Sequence, residues 1–215
     1  MTTGFSSVIL DVDSTVCGIE GIDWLAERHG AAVGARVTGL TDRAMRGEIA
    51  LDSVYGERLA LVRPTRDDLS ALGQAYVDAI APGAADAIIR LQRAGKRVAL
   101  VSGGIREAIL PLALVLGISA SDVHAVSVRT DAGGAYAGFD AESPLTTAGG
   151  KASVARRLAL PPRVLSVGDG ATDLAMRPAV DAFAAFTGFV RRESVVVAAD
   201  HVLTTFAQLV ELACA

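Results

Sequence analysis

A chain of 215 residues has room for one α/β domain with a modest insertion and is short for two full domains. With 51% hydrophobic and 20% charged residues it can fill a core, which excludes a disordered chain; the net charge of −4 and the lack of any basic run argue against a nucleic-acid partner. Mean hydropathy is high at +0.42, but the most apolar stretch, residues 109–118, contains Pro111 and Gly117 and is far too short to span a bilayer.

The first apolar run, residues 7–10, reads as a buried strand ending at Asp11. Residues 19–80 then break the rhythm: no strand is evident, and helical periods run over 23–28, 41–46 and 51–62. This stretch is read as a mostly helical insertion that sits like a lid. A helix over 84–94 closes at Gly95, and a strand over 97–101 ends at Ser102. A helix over 105–116 follows, then a hairpin over 126–139 turning at Ala132, Gly133 and Gly134. The remaining pattern is a helix over 151–158, a strand over 163–167 ending at Gly168 and Asp169, and a strand over 181–186. Strand and helix in alternation imply a parallel, doubly wound sheet covered on both faces.

In such sheets ligands bind beyond the carboxyl ends of the strands. Three of these ends carry Asp11-Val-Asp13-Ser-Thr15, Ser102-Gly103-Gly104 and Gly168-Asp169-Gly-Ala-Thr172-Asp173, and Lys151 opens a helix after two glycines. Three familiar motifs fail here. Asp11-x-Asp13 lacks the Gly and Glu of a calcium loop, since Val16 and Ile22 hold those places. Gly149-Gly150-Lys151 lacks the first glycine and the Ser/Thr of a phosphate-binding P-loop. Gly168-x-Gly170 carries Asp173 where a dinucleotide turn needs its third glycine. What remains is an acidic group, Asp11, Asp13 and Asp169, able to gather around a hard cation such as Mg²⁺. Ser102 with the Gly103 and Gly104 amides forms a phosphate cradle ahead of a helix, and Lys151 adds positive charge. His29, His124 and His201 are scattered, Trp24 reads as lid core, and Arg191-Arg192 reads as a solvated pair of which one could reach the site.

In this order the four motifs resemble those of the haloacid dehalogenase superfamily, and within it the phosphoserine-hydrolysing branch. Glu20-Gly-Ile-Asp23, residues 57–62 and residues 136–140 extend the resemblance over nearly the whole chain. It implies a Rossmann-like core, residues 1–16 and 81–215, with a small helical cap, residues 17–80, inserted after the first strand. It implies Asp11 as nucleophile and Asp13 as general acid and then base. Mg²⁺ would be held by Asp11, the Asp13 carbonyl and Asp169, with Asp173 in support. The phosphoryl group would be held by Ser102, Gly103 and Lys151. In the cap, Glu20 would meet the substrate ammonium and Arg58 its carboxylate, with Met45 and Gly47 lining the pocket; Thr172 stands where many relatives carry Asn. The expected activity is Mg²⁺-dependent hydrolysis of O-phospho-L-serine, the last step of serine biosynthesis. The alternatives are phosphoryl transfer, another small phosphomonoester, or a catalytically silent phospho-amino-acid binder.

The first 13 residues lack a basic leader, and Cys17 and Cys214 have no metal-ligand spacing. The expectation is a cytoplasmic monomer or homodimer whose partner is a small molecule, with neither nucleic acid nor membrane bound.

Overall fold

The computed structural model of the chain describes residues 4–45, 49 and 51–215. Its centre is β1 (Ser7–Leu10), whose four residues are all buried, as an apolar strand between two neighbours must be. β1 pairs in parallel with β2 (Arg97–Ile105) on one side and β6 (Val164–Gly168) on the other, so that Ser7 aligns with both Arg97 and Val164. β3 (Val123–Val126), β7 (Ala182–Phe186) and β8 (His201–Leu203) complete a six-stranded parallel sheet ordered β3-β2-β1-β6-β7-β8. Strand order reverses between β1 and β6, which makes the crevice at their carboxyl ends the natural ligand position.

Amphipathic helices cover the sheet. α5 (Ala84–Arg93) buries Ala84, Ala87, Ile88 and Leu91, and α10 (Phe206–Cys214) buries Phe206, Leu209, Val210 and Ala213, the same one-face spacing in both. α10 starts at a capping box in which Thr205 and Gln208 satisfy each other's free amides. α7 (Gly150–Arg157) and two single turns, α8 (Ala171–Leu174) and α9 (Glu193–Val196), complete the later half.

Between β1 and β2 lie α1 (Gly21–Arg28), α2 (Ala31–Met45), α3 (Leu51–Val62) and α4 (Arg66–Asp78). The first three pack on one another, whereas α4 docks on α6 (Arg106–Val115), the helix that follows β2. Gly73 permits that approach: a Cβ there would lie 3.1 Å from Pro111 Cγ and 3.3 Å from the Ala108 carbonyl. The insertion thus carries one more helix than its periodicity suggested, and α2 starts earlier, because Gly34, Gly39 and the β-branched Val33, Val37 and Thr38 dilute its pattern.

Two boundaries differ from expectation. β2 does not stop at Val101 but stays extended to Ile105, its register with β3 slipping between Val101 and Ile105. The hairpin begins at Val128, not Val126, which ends β3 in the main sheet. β4 (Val128–Thr130) and β5 (Tyr136–Phe139) pair antiparallel. Their turn closes as expected, Gly134 N–H donating to the Asp131 carbonyl at 3.0 Å with Gly134 at φ +88°. Among the described residues, no helix is long and apolar enough to cross a membrane.

Candidate active site

The chain leaves β1 with the Asp11 amide still bonded to the Val167 carbonyl of β6 at 3.0 Å. It then coils tightly: the amides of Thr15 and Cys17 both return to the Val12 carbonyl, and Ser14 takes φ +52°. This coil aims two carboxylates differently. Asp11 is buried at the floor, while Asp13 turns toward the insertion and accepts from the Gly21 amide at 2.8 Å and the Tyr76 hydroxyl at 2.7 Å, both on Oδ1. Burial pushes the Asp13 carboxyl up to about 7, with help from Glu20 and Asp11, against the lowering effect of those two hydrogen bonds.

Lys151, near the start of α7, reaches the floor beside Asp11. Its buried ammonium stands 2.6 Å from Asp11 Oδ1 and 2.6 Å from Asp173 Oδ1. Burial alone would discharge this lysine, but the two carboxylates hold it charged and raise its pKa. Asp173 is raised to about 7 by burial and by Asp11, in spite of Lys151 and the Gly170 amide that it accepts at 3.0 Å. Gly168 must lack a side chain, since a Cβ there would fall 2.1 Å from Asp173 Cγ. Asp169 accepts from Thr15 Oγ1 at 3.3 Å and pairs with Arg192.

Asp11, Asp169 and Asp173 each offer a carboxylate oxygen within 4.8 Å of the other two, all three buried. Lys151 and Arg192 offset part of the repulsion among these carboxylates, and the all-oxygen donor set suits a hard divalent ion. The group therefore fits a metal. The side chain of Asp13 is not among the three; its Oδ1 accepts from Gly21 and Tyr76.

Ser102 is buried behind Gly103 and Gly104, which line the cavity. The Gly104 amide donates to Ser102 Oγ at 2.9 Å, so this amide braces the loop from within. A Cβ on Gly104 would lie 3.0 Å from Asp13 Oδ2, so the glycine leaves space for that carboxylate.

Above the floor lies a cavity of about 360 Å³. Glu20, Asp23, Tyr55, Arg58, Thr172 and Arg192 are among its walls. Glu20 accepts from Ser14 Oγ at 2.6 Å, and Arg58 pairs with Asp23 while its Nε has no partner. Gly47 and the Met45 side chain lie outside the described residues. Of the two adjacent arginines, Arg192 reaches the site, whereas Arg191 pairs with Glu193 in solvent at 3.0 Å. Sequence reasoning did not single out Tyr76, or Asp23 as the partner of Arg58. These contacts span 63 and 35 residues, and no local pattern signals either.

A parallel sheet with an aspartate at the end of its central strand, a buried lysine bridging it to a second aspartate, and a helical insertion after that strand define a recognisable class. The chain belongs to the haloacid dehalogenase-like hydrolase family, whose model matches residues 8–178. It is 38% identical over 206 residues to the phosphoserine phosphatase of Mus musculus, covering 94% of this chain and 91% of that one. Among solved structures, a phosphoserine phosphohydrolase-like protein from Francisella tularensis superposes with a TM-score of 0.82 at 24% identity, covering 96% of this chain and 99% of that one. A phospho-aspartyl intermediate analogue of phosphoserine phosphatase superposes with a TM-score of 0.77 at 23% identity, covering 97% and 99%.

Proposed function

We propose that the chain hydrolyses O-phospho-L-serine through a phospho-aspartate on Asp11. The observation that carries this reading is the buried Lys151 ammonium held between Asp11 and Asp173, beneath a cavity whose walls bear both a carboxylate, Glu20, and a guanidinium, Arg58. A carboxylate paired with a buried cation beside a phosphate-sized space is suited to attack on phosphorus, and opposite charges further out suit a zwitterionic amino acid.

In this scheme an Asp11 carboxylate oxygen forms a bond to phosphorus while the ester P–O bond breaks, and Asp13 gives its proton to the departing serine oxygen. Asp13, now a carboxylate, takes a proton from water as the water oxygen attacks the phosphorus of the acyl phosphate. Phosphate leaves and Asp11 is restored. Lys151, Ser102 and the Gly103 amide hold the phosphoryl oxygens, with Gly104 and Thr172 beside them. Mg²⁺ would be held by Asp11, Asp169 and the Asp13 carbonyl, with Asp173 behind; bound there, it supplies the positive charge that lets a phosphate dianion approach these carboxylates. Residues 17–80 act as the cap over residues 1–16 and 81–215, with Glu20 taking the ammonium and Arg58 the carboxylate. We place the enzyme in the cytoplasm, acting on a free small molecule.

The test is a phosphate-release screen over small phosphomonoesters, with and without Mg²⁺ and with added serine as acceptor. Phosphoserine should lead the series in kcat/KM and release stoichiometric phosphate. A preference for an ester without the amino-acid charges would overturn the substrate. Transfer to added acceptors in place of water would make the protein a phosphotransferase.

A further inference from the structure

Tyr76 belongs to α4, far from the strand ends, yet its hydroxyl donates to Asp13 Oδ1 at 2.7 Å. The same oxygen accepts the Gly21 amide at 2.8 Å. Tyr76 is fully buried, and its own carbonyl accepts from Cys17 Sγ at 3.2 Å, so the residue is held at both ends by the coil that carries Asp13. The hydroxyl fills the space that a side chain on Gly21 would take, since a Cβ there would stand 2.1 Å from it.

We propose that Tyr76 is a positioning residue that fixes which oxygen of Asp13 carries the catalytic proton. A carboxylic acid has one protonated and one accepting oxygen, and each oxygen has two lone pairs in the carboxyl plane. Two donors on Oδ1 occupy both of its lone pairs, so the proton is confined to Oδ2. Oδ2 is the oxygen beside Gly104, a residue of the cavity wall. Without Tyr76, the backbone amide of Gly21 guards Oδ1 alone, and the proton gains a second position that faces away from the leaving group. The inference rests on the reading of Asp13 as general acid.

Leaving-group dependence tests it, because kcat/KM reports every step up to release of the alcohol and only a poor leaving group needs the proton. Phosphoserine expels an alkoxide, p-nitrophenyl phosphate a stable phenolate. Tyr76→Phe should lower kcat/KM for phosphoserine by about 10-fold, a fraction of the roughly 10²- to 10⁴-fold that a full general acid supplies, and change p-nitrophenyl phosphate by less than about 2-fold. Gly21→Ala, whose methyl would fall 2.1 Å from the Tyr76 hydroxyl and push it off Asp13 while residue 76 stays a tyrosine, should give the same selective loss and so covers the case in which Tyr76→Phe does not fold. Equal losses on the two esters, or no loss on either, in both variants would overturn the inference. Asp13→Asn separates the two levels. If Asp13→Asn is selective while the Tyr76 and Gly21 variants are not, the positioning role alone fails. If Asp13→Asn loses both esters equally, the general-acid reading fails and takes the inference with it.

Discussion

The guanidinium of Arg58 is ion-paired with the carboxylate of Asp23 across the cavity wall, 35 residues away in the chain. A substrate carboxylate must therefore share Arg58 with Asp23. A guanidinium can do this, because its donors lie in a planar fork and Nε is still unpartnered. Arg58→Ala or Glu20→Gln should lower kcat/KM for phosphoserine by about 30-fold or more, from a loss of about 2–5 kcal/mol per unpaired substrate charge. Arg58→Lys should not rescue it, since a single ammonium cannot serve both carboxylates with fork geometry. An aryl phosphate should be almost unaffected by any of the three. Kinetics on both substrates decide the matter, and a parallel loss would assign these residues to cap folding.

Asp11→Asn should abolish turnover and leave the fold intact, because the buried Lys151 keeps Asp173 as a partner. Phosphate release measured beside circular dichroism checks both halves, and beryllofluoride should form a stable adduct only with the wild type. Substantial residual turnover would exclude Asp11 as nucleophile.

Chelation should remove activity and Mg²⁺ restore it. A ligand that binds only the native state stabilises it by about 2.7 kcal/mol at 100 times its Kd, so Mg²⁺ should also raise Tm. Asp169→Asn removes one of the three converging carboxylates and should largely abolish that rise. Thermal unfolding with and without the ion reads this independently of catalysis, and an unchanged rise in Asp169→Asn would place the ion elsewhere.

The start of α4 carries a pH-dependent contribution to stability. Asp68 closes a capping box with Thr65, accepting the Thr65 hydroxyl at 2.7 Å and amide at 2.9 Å, with His29 Nε2 at 3.3 Å. Partial burial would raise Asp68, but the Thr65 hydrogen bonds and His29 outweigh it and hold the carboxyl below its ordinary value. A carboxyl lowered by folding contributes fully above its unfolded pKa, about 3.9, and loses that contribution as pH falls through its folded value. Asp68→Ala should therefore cost about 1 kcal/mol at neutral pH, and the gap to wild type should narrow in acid. Urea melts at pH 7 and pH 3 measure it; a gap that widens in acid would reverse the assignment.

Much of this arrangement was legible in the residues, and the gaps have physical causes. β1, β2, β6 and β7 were readable because a strand buried on both faces needs an unbroken apolar run, and the aspartates at two of their ends follow at once. β8 has only three residues, and β3, Val123–Val126, breaks its apolar run with His124. α4 has its start signal in Thr65 and Asp68, but its buried face is thin, with Leu69, Leu72 and Tyr76 as its only large members and a glycine among them. Asp13 was legible as a site residue but not the pair of donors that orient it, since Tyr76 comes from a different element. Asp23 looked like the acidic first turn of a helix, which it also is.

The double pairing of β1 has a bearing on how the chain comes to be folded. β1 is synthesised well ahead of the neighbour on its far side, β6, which is made only after the whole stretch from Asp11 to Arg163 has followed. Until then one of its edges stays open, and an apolar strand with free backbone groups is a template for wrong partners. Such distant pairing is also slow to find. Asp11 and Asp169 can meet only when β1 and β6 lie side by side, so recovery of activity during refolding should lag behind the gain of helical signal.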